Sequence, residues 1–127
     1  MEDHLQQLVE LEQQALEYYK EADYSGVVCT IARAMEGVGL HTMVVPKDKG
    51  SYLIHVAAEP ITTAIHSLME GVTVRVYKVS RMQRLIDALL GCKLLPEYHV
   101  SKDSVLVGQP CTIRGAVATV QACLLEQ

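Results

Sequence analysis

The chain contains no Phe and no Trp among its 127 residues. Its interior must therefore be built from Val, Leu, Ile, Ala and Met, helped by six Tyr. Packing then rests on many small contacts with few aromatic anchors. No stretch approaches the 18 or more apolar residues of a membrane span, so no membrane association is expected. The start, Met1-Glu2-Asp3-His4, is acidic and runs into a glutamine-rich segment. A secretory leader needs a basic start and a short apolar run, and neither is there. The four cysteines, Cys29, Cys92, Cys111 and Cys123, include no C-x-x-C pair. With no secretory signal, the expectation is reduced and mostly buried thiols in a soluble, cytoplasmic protein.

Signatures of chemistry are equally scarce. There is no HxH, no HExxH and no glycine-rich phosphate loop. Gly37-Val38-Gly39 precedes a strand pattern, the wrong order for a dinucleotide site. Glu59 and Glu70 bracket one helical pattern about 16 Å apart by helix geometry, too far to act as paired acids. No cofactor and no metal is implied. The reading leans away from an enzyme without deciding the point.

What is present is a globular composition: half the residues are hydrophobic and a fifth are charged. A chain of this length buries roughly two thirds of its unfolded surface, so one domain spanning residues 1–127 is expected. The net charge is −4. Residues 1–23 hold seven acids against Lys20 alone, whereas residues 72–93 hold Arg75, Lys78, Arg81, Arg84 and Lys93 against Asp87. The acidic and basic segments can face each other, within one subunit or between two. The overall sign disfavours bulk nucleic-acid binding.

The hydrophobic periodicity gives the order α-α-β-β-α-β-α-(β-β)-α. This is an α+β domain with a mainly antiparallel sheet of three to five strands packed against helices. His4–Ala22 reads as a helix with Leu5, Leu8, Val9, Ala15, Leu16, Tyr19 and Ala22 on one side. Glu12 interrupts the stripe, and Asp3 is placed as its N-cap. A second helix runs to about Val38, with Val27, Val28, Ile31, Ala34, Met35 and Val38 inward and Asp23 or Ser25 as cap. Pro60 opens a third helix that Gly71 closes. Val72, Val74 and Val76 point inward from a half-buried strand, with Thr73, Arg75 and Tyr77 outward. Ser80 caps a helix over Arg81–Leu90, with Met82, Leu85, Ile86 and Leu89 apolar. His99-Val100 and Val105–Val107 form either a short hairpin or one strand with a preceding loop. Ile113, Ala116, Val117, Val120 and Leu124 fit a helical stripe, whereas the β-branched content of the same stretch fits a strand; its uninterrupted length without a turn signal favours the helix.

The hairpin around Lys47-Asp48-Lys49-Gly50 has two registers. A four-residue loop sets Pro46 against Ser51 and groups Met43, Val45, Tyr52, Ile54 and Val56 with His41. A three-residue loop sets Lys47 against Ser51 and puts His41, Met43, Val45, Leu53 and His55 on one face. The four-residue loop separates apolar from polar better and is the expectation.

Three functions follow in order. The first is a non-enzymatic protein-interaction or regulatory module that self-associates, as a homodimer, and acts on another protein. High apolar content in a small chain and the acidic amphipathic first helix support it. The second is a small-ligand-binding protein or small enzyme with a pocket lined by His41, His55, Tyr52 and Tyr77; His66 or Glu59 would be needed to complete a metal site with the two histidines, and the spacing does not demand one. The third is a weak anion or RNA binder through Arg75, Lys78, Arg81 and Arg84. Among the thiols, Cys111 alone precedes a helix N-terminus. Cys29, one turn before Arg33, is expected to be buried.

Overall fold

A computed structural model describes residues 2–59, 71–91 and 96–125. Among these residues it contains four α-helices and five strands in the expected order. The helix expected from Pro60, with His66, lies outside the described residues. Helix α1 spans Glu2–Lys20 and α2 spans Tyr24–Gly37. Strands β1 (His41–Pro46), β2 (Tyr52–Ala57) and β3 (Val72–Val76) follow. Then come α3 (Arg81–Leu89), β4 (Tyr98–Lys102), β5 (Val105–Gly108) and α4 (Ile113–Leu125). The five strands form one antiparallel sheet in chain order, β1 to β5.

One face of that sheet makes the core. Ile54, Val74 and Val100 are mutual neighbours across three strands, flanked by Val56 with Val72 and by Val76 with Tyr98. All are buried. Helix α2 covers β1 and β2, α4 covers β3 and β4, and α1 packs on both helices. The α2 stripe is as the 3.6-residue period requires, with Val27, Val28, Ile31, Ala34 and Met35 buried. Asp23 caps α2 by accepting from the Gly26 N–H at 3.0 Å. A Cβ at Gly26 would lie 2.5 Å from the Tyr18 ring, so a larger residue there requires that ring to move. The terminal segment is a helix, with Ile113, Ala116, Val117, Val120 and Cys123 buried.

Asp3 lies inside α1 and is not its cap, since the helix already includes Glu2. Two further features of α1 depart from a simple amphipathic stripe. Val9 is exposed, and Leu11 takes a core position instead. Glu12 does not interrupt the packing. Its carboxylate reaches across to accept from the Ile113 N–H, satisfying a free donor at the start of α4. Half-burial desolvates that carboxyl and raises its pKa, an effect that the Ile113 N–H partly offsets.

The α1–α2 corner is a Schellman turn built on alanine. The Asp23 N–H donates to the Tyr18 carbonyl at 2.8 Å, and the Ala22 N–H to the Tyr19 carbonyl at 3.0 Å. Ala22 has φ 59°, a conformation usually left to glycine.

The hairpin takes the three-residue loop, against expectation. His41 pairs with Ala57 and Met43 with His55, and the Lys47 N–H donates to the Ser51 carbonyl at 2.9 Å. The reason is local geometry. Asp48–Gly50 form one 3₁₀ turn and Gly50 takes φ +75°, which fixes the loop length. Apolar segregation had little weight here because β1 is an edge strand. Val44 sits opposite buried Ile54 and is still 41% exposed.

The β4–β5 connection is a hairpin. Its two central residues, Asp103 (φ 51°) and Ser104 (φ 70°), are both left-handed, as a type I′ turn requires. Asp103 is held there by Gly71, whose N–H donates to its carboxylate at 2.8 Å.

Candidate protein-interaction surface

The site grows from helix α3. Ser80 caps it, accepting from the Gln83 N–H at 3.1 Å. Its apolar residues recur at steps of three and four, so Met82, Leu85, Ile86 and Leu89 share one side. Arg84 lies on the opposite side. That arginine is the attachment point. Its Nη2 donates to the Tyr19 carbonyl at 2.6 Å and to the Lys20 carbonyl at 3.1 Å, and Nη1 donates to the Tyr24 hydroxyl at 3.3 Å. The guanidinium also stacks 4.7 Å from the centre of the Tyr19 ring. Tyr24 ties down the preceding segment by accepting from the Val79 N–H at 3.2 Å.

The acidic first helix and the basic segment do meet, though not through their charges. The carbonyls at the C-terminal end of α1 carry the negative end of the helix dipole, and Arg84 completes their capping.

Pinning α3 by its polar side turns its apolar side outward. No α3 residue is buried. Met82 is 73% exposed, Leu85 60%, Ile86 42% and Leu89 78%, with Leu90 just beyond at 73%. Sequence periodicity found this stripe but gave no hint that it faces away from the core. Arg84, opposite the stripe, decides its direction, because the free carbonyls at the C-terminal end of α1 accept from its guanidinium.

The other sequence-derived candidates are distributed as follows. His41 and His55 share the sheet face opposite the core and sit at diagonal positions of the β1–β2 pair. His41 is exposed and His55 is buried. Burial, together with nearby Lys47, lowers the His55 pKa and so favours the neutral imidazole. Tyr52 belongs to the core face and packs against the buried cluster, apart from the two histidines. Tyr77 lies just beyond β3. It accepts from Arg75 Nη1 at 3.3 Å, carries the guanidinium 5.2 Å above its ring and meets His99 edge-on at 4.8 Å. His99, directly across from Arg75 on β4, also lies 3.8 Å from the Glu97 carboxylate.

The four basic candidates therefore divide. Arg75 joins Tyr77 and His99, Arg84 joins α1 and Tyr24, and Arg81 and Lys78 are exposed. Lys78 donates its backbone N–H to Ser51 Oγ at 3.3 Å.

Cys123 is buried and free, but Cys29 and Cys111 are exposed free thiols. Cys29 corrects the expectation of burial. It falls on the outward side of α2 with Arg33, four residues on, away from the Val28–Ile31 stripe. Among the described residues, no three His, Cys, Asp or Glu side chains converge as metal ligands.

Two clefts formed by described residues lie on the helical side. One, of about 410 Å³, is polar and lies between α1 and α2, bounded by Glu10, Arg33 and Glu36. The other, of about 480 Å³, lies between α1 and the start of α4, bounded by Val9, Glu12 and Arg114. His41, His55, Tyr52 and Tyr77 line neither of them. Among the described residues no helix is long and apolar enough to cross a membrane.

Comparison with protein-family models, with curated proteins and with solved structures finds no match.

Proposed function

We propose that this chain is a non-enzymatic protein-interaction module that self-associates through the apolar side of α3. The observation that carries the reading is the exposure of Met82, Leu85, Ile86 and Leu89 on a helix whose only described anchors are polar. Scattered exposed apolar residues need no explanation, but a contiguous helical stripe of them is typical of an association surface. A twofold axis lets one such stripe bury another copy of itself. Burying these side chains offsets an association cost of about 4–15 kcal/mol, so the dimer is expected to be of micromolar affinity or weaker. The exposed thiols of Cys29 and Cys111 support a reducing, cytoplasmic setting.

The test compares the wild-type chain with the double variant Leu85→Ser/Leu89→Ser by multi-angle light scattering. Wild type is expected to approach a dimer mass as concentration rises. The variant should stay monomeric with the same circular dichroism and melting temperature. A wild-type chain that is monomeric throughout the series overturns the proposal.

A further inference from the structure

We infer that the two copies pair their α3 helices antiparallel about a twofold axis passing between Leu85 and Ile86. This rests on the self-association reading above and names its geometry. Three observations support this pairing. First, the stripe is its own complement. With the axis at that point, Met82 of one copy meets Leu89 of the other, and Leu85 meets Ile86, so every seat is apolar against apolar.

Second, the charges fit only one direction. Arg81 stands exposed in the first turn of α3, where the positive end of the helix dipole disfavours a cation. The last turn of α3 carries no basic residue, so among the described residues its free carbonyls have no cation from their own helix. Antiparallel pairing brings each Arg81 to the partner's carbonyl end. Parallel pairing would set the two arginines side by side at the positive ends of both helices.

Third, the attachment leaves the stripe accessible. Arg84 and Tyr24 hold α3 from the side opposite Met82 and Leu89, so docking a second helix disturbs none of their hydrogen bonds.

The experiment mixes two variants, Met82→Cys and Leu89→Cys, oxidises them and maps disulfides by mass spectrometry, which separates new links from those of the native thiols. A disulfide needs Cα atoms within about 7 Å. Positions 82 and 89 are seven residues apart, or roughly 10 Å along the helix axis. The antiparallel pair therefore predicts the 82–89 link between chains, with 82–82 and 89–89 links at least tenfold rarer. Dominant 82–82 and 89–89 links overturn the antiparallel arrangement. A dimer by light scattering with no α3 link places association elsewhere and overturns this inference alone. A monomer overturns it together with the reading beneath it.

Charge provides an independent readout. Arg81→Gln should weaken the dimer about three- to thirtyfold, since two symmetric helix-dipole contacts are lost. The same change leaves the melting temperature of the dilute monomer unchanged or higher. Equal dimer affinity for wild type and Arg81→Gln contradicts the pairing.

Discussion

Replacing Arg84 with Ala should release α3 from the body of the domain without unfolding the sheet. The magnitude follows from the contacts. Arg84 makes two hydrogen bonds to carbonyls at the end of α1, one to the Tyr24 hydroxyl, and a stack on Tyr19. Charge-assisted bonds contribute about 1.5–3 kcal/mol each when sheltered. Here they are partly open to solvent, so about 1 kcal/mol each is appropriate, with about 0.5 kcal/mol for the stack. Water re-solvates some of the freed carbonyls, which leaves a loss of about 2–3 kcal/mol. Because α3 buries no residue of its own, the loss falls on the local opening of α3 and hardly touches global unfolding. Amide hydrogen exchange should then accelerate roughly 30- to 150-fold across residues 82–90, at a protein concentration where the chain is monomeric. Amides of β3, in the core, should change by less than about threefold. Arg84→Lys should fall between the two, because it keeps the charge and loses the planar fork that spans both carbonyls. Unchanged exchange in α3 would refute the clamp. An equal acceleration in β3 would show that α3 is not a separate cooperative unit.

Four further outcomes follow from the fold. Glu12→Gln should be more stable than wild type near neutral pH and equal to it near pH 4. The folded-state pKa of Glu12 is raised, so its ionisation costs stability as pH climbs through and above the ordinary value of 4.5. Thermal melts across that range decide it, and Glu12→Ala, which leaves the Ile113 N–H without its acceptor, should melt lower at every pH. His55→Gln should flatten the loss of stability on acidification below about pH 6.5, because the lowered pKa makes protonation of His55 favour the unfolded chain. An unchanged acid limb would remove that assignment. Ala22→Gly should raise the melting temperature by about 2–5 °C by relieving the left-handed alanine. A fall would mean that the corner is not strained. Tyr98→Phe should be neutral or stabilising, since the buried Tyr98 hydroxyl has no partner among the described residues. A loss above about 1 kcal/mol by denaturant titration would contradict that.

Much of the fold was legible because local signals and burial agreed. Asp23 or Ser25 marked the start of α2, Val72, Val74 and Val76 marked β3, and the uninterrupted length of the last segment outweighed β-branched composition in α4. The failures at Glu12 and α3 share one physical origin, which is that the deciding interaction is not local. Glu12 looked like a flaw in an apolar stripe because its partner, the Ile113 N–H, is 101 residues away. The hairpin register could not be read from apolar segregation because an edge strand is partly solvated on both faces. The α3 stripe was visible, but its direction depends on Arg84 finding carbonyls some 64 residues earlier. The histidine and tyrosine candidates were chosen by type. The register joins His41 and His55 on one face, which no single-strand pattern could specify, whereas Tyr52, three residues before His55 on β2, falls on the other face by alternation alone.

The claim that the apolar side of α3 meets a second copy is tested most directly by isotope-filtered NMR on a mixed sample. One half carries labelled methionine and leucine methyls, and the other half is unlabelled. At concentrations where the chain is dimeric, intermolecular contacts are expected from the Met82 methyl to the partner's α3, strongest at Leu89. A dimer in which the methyls of Met82, Leu85 and Leu89 show no intermolecular contact would contradict the account.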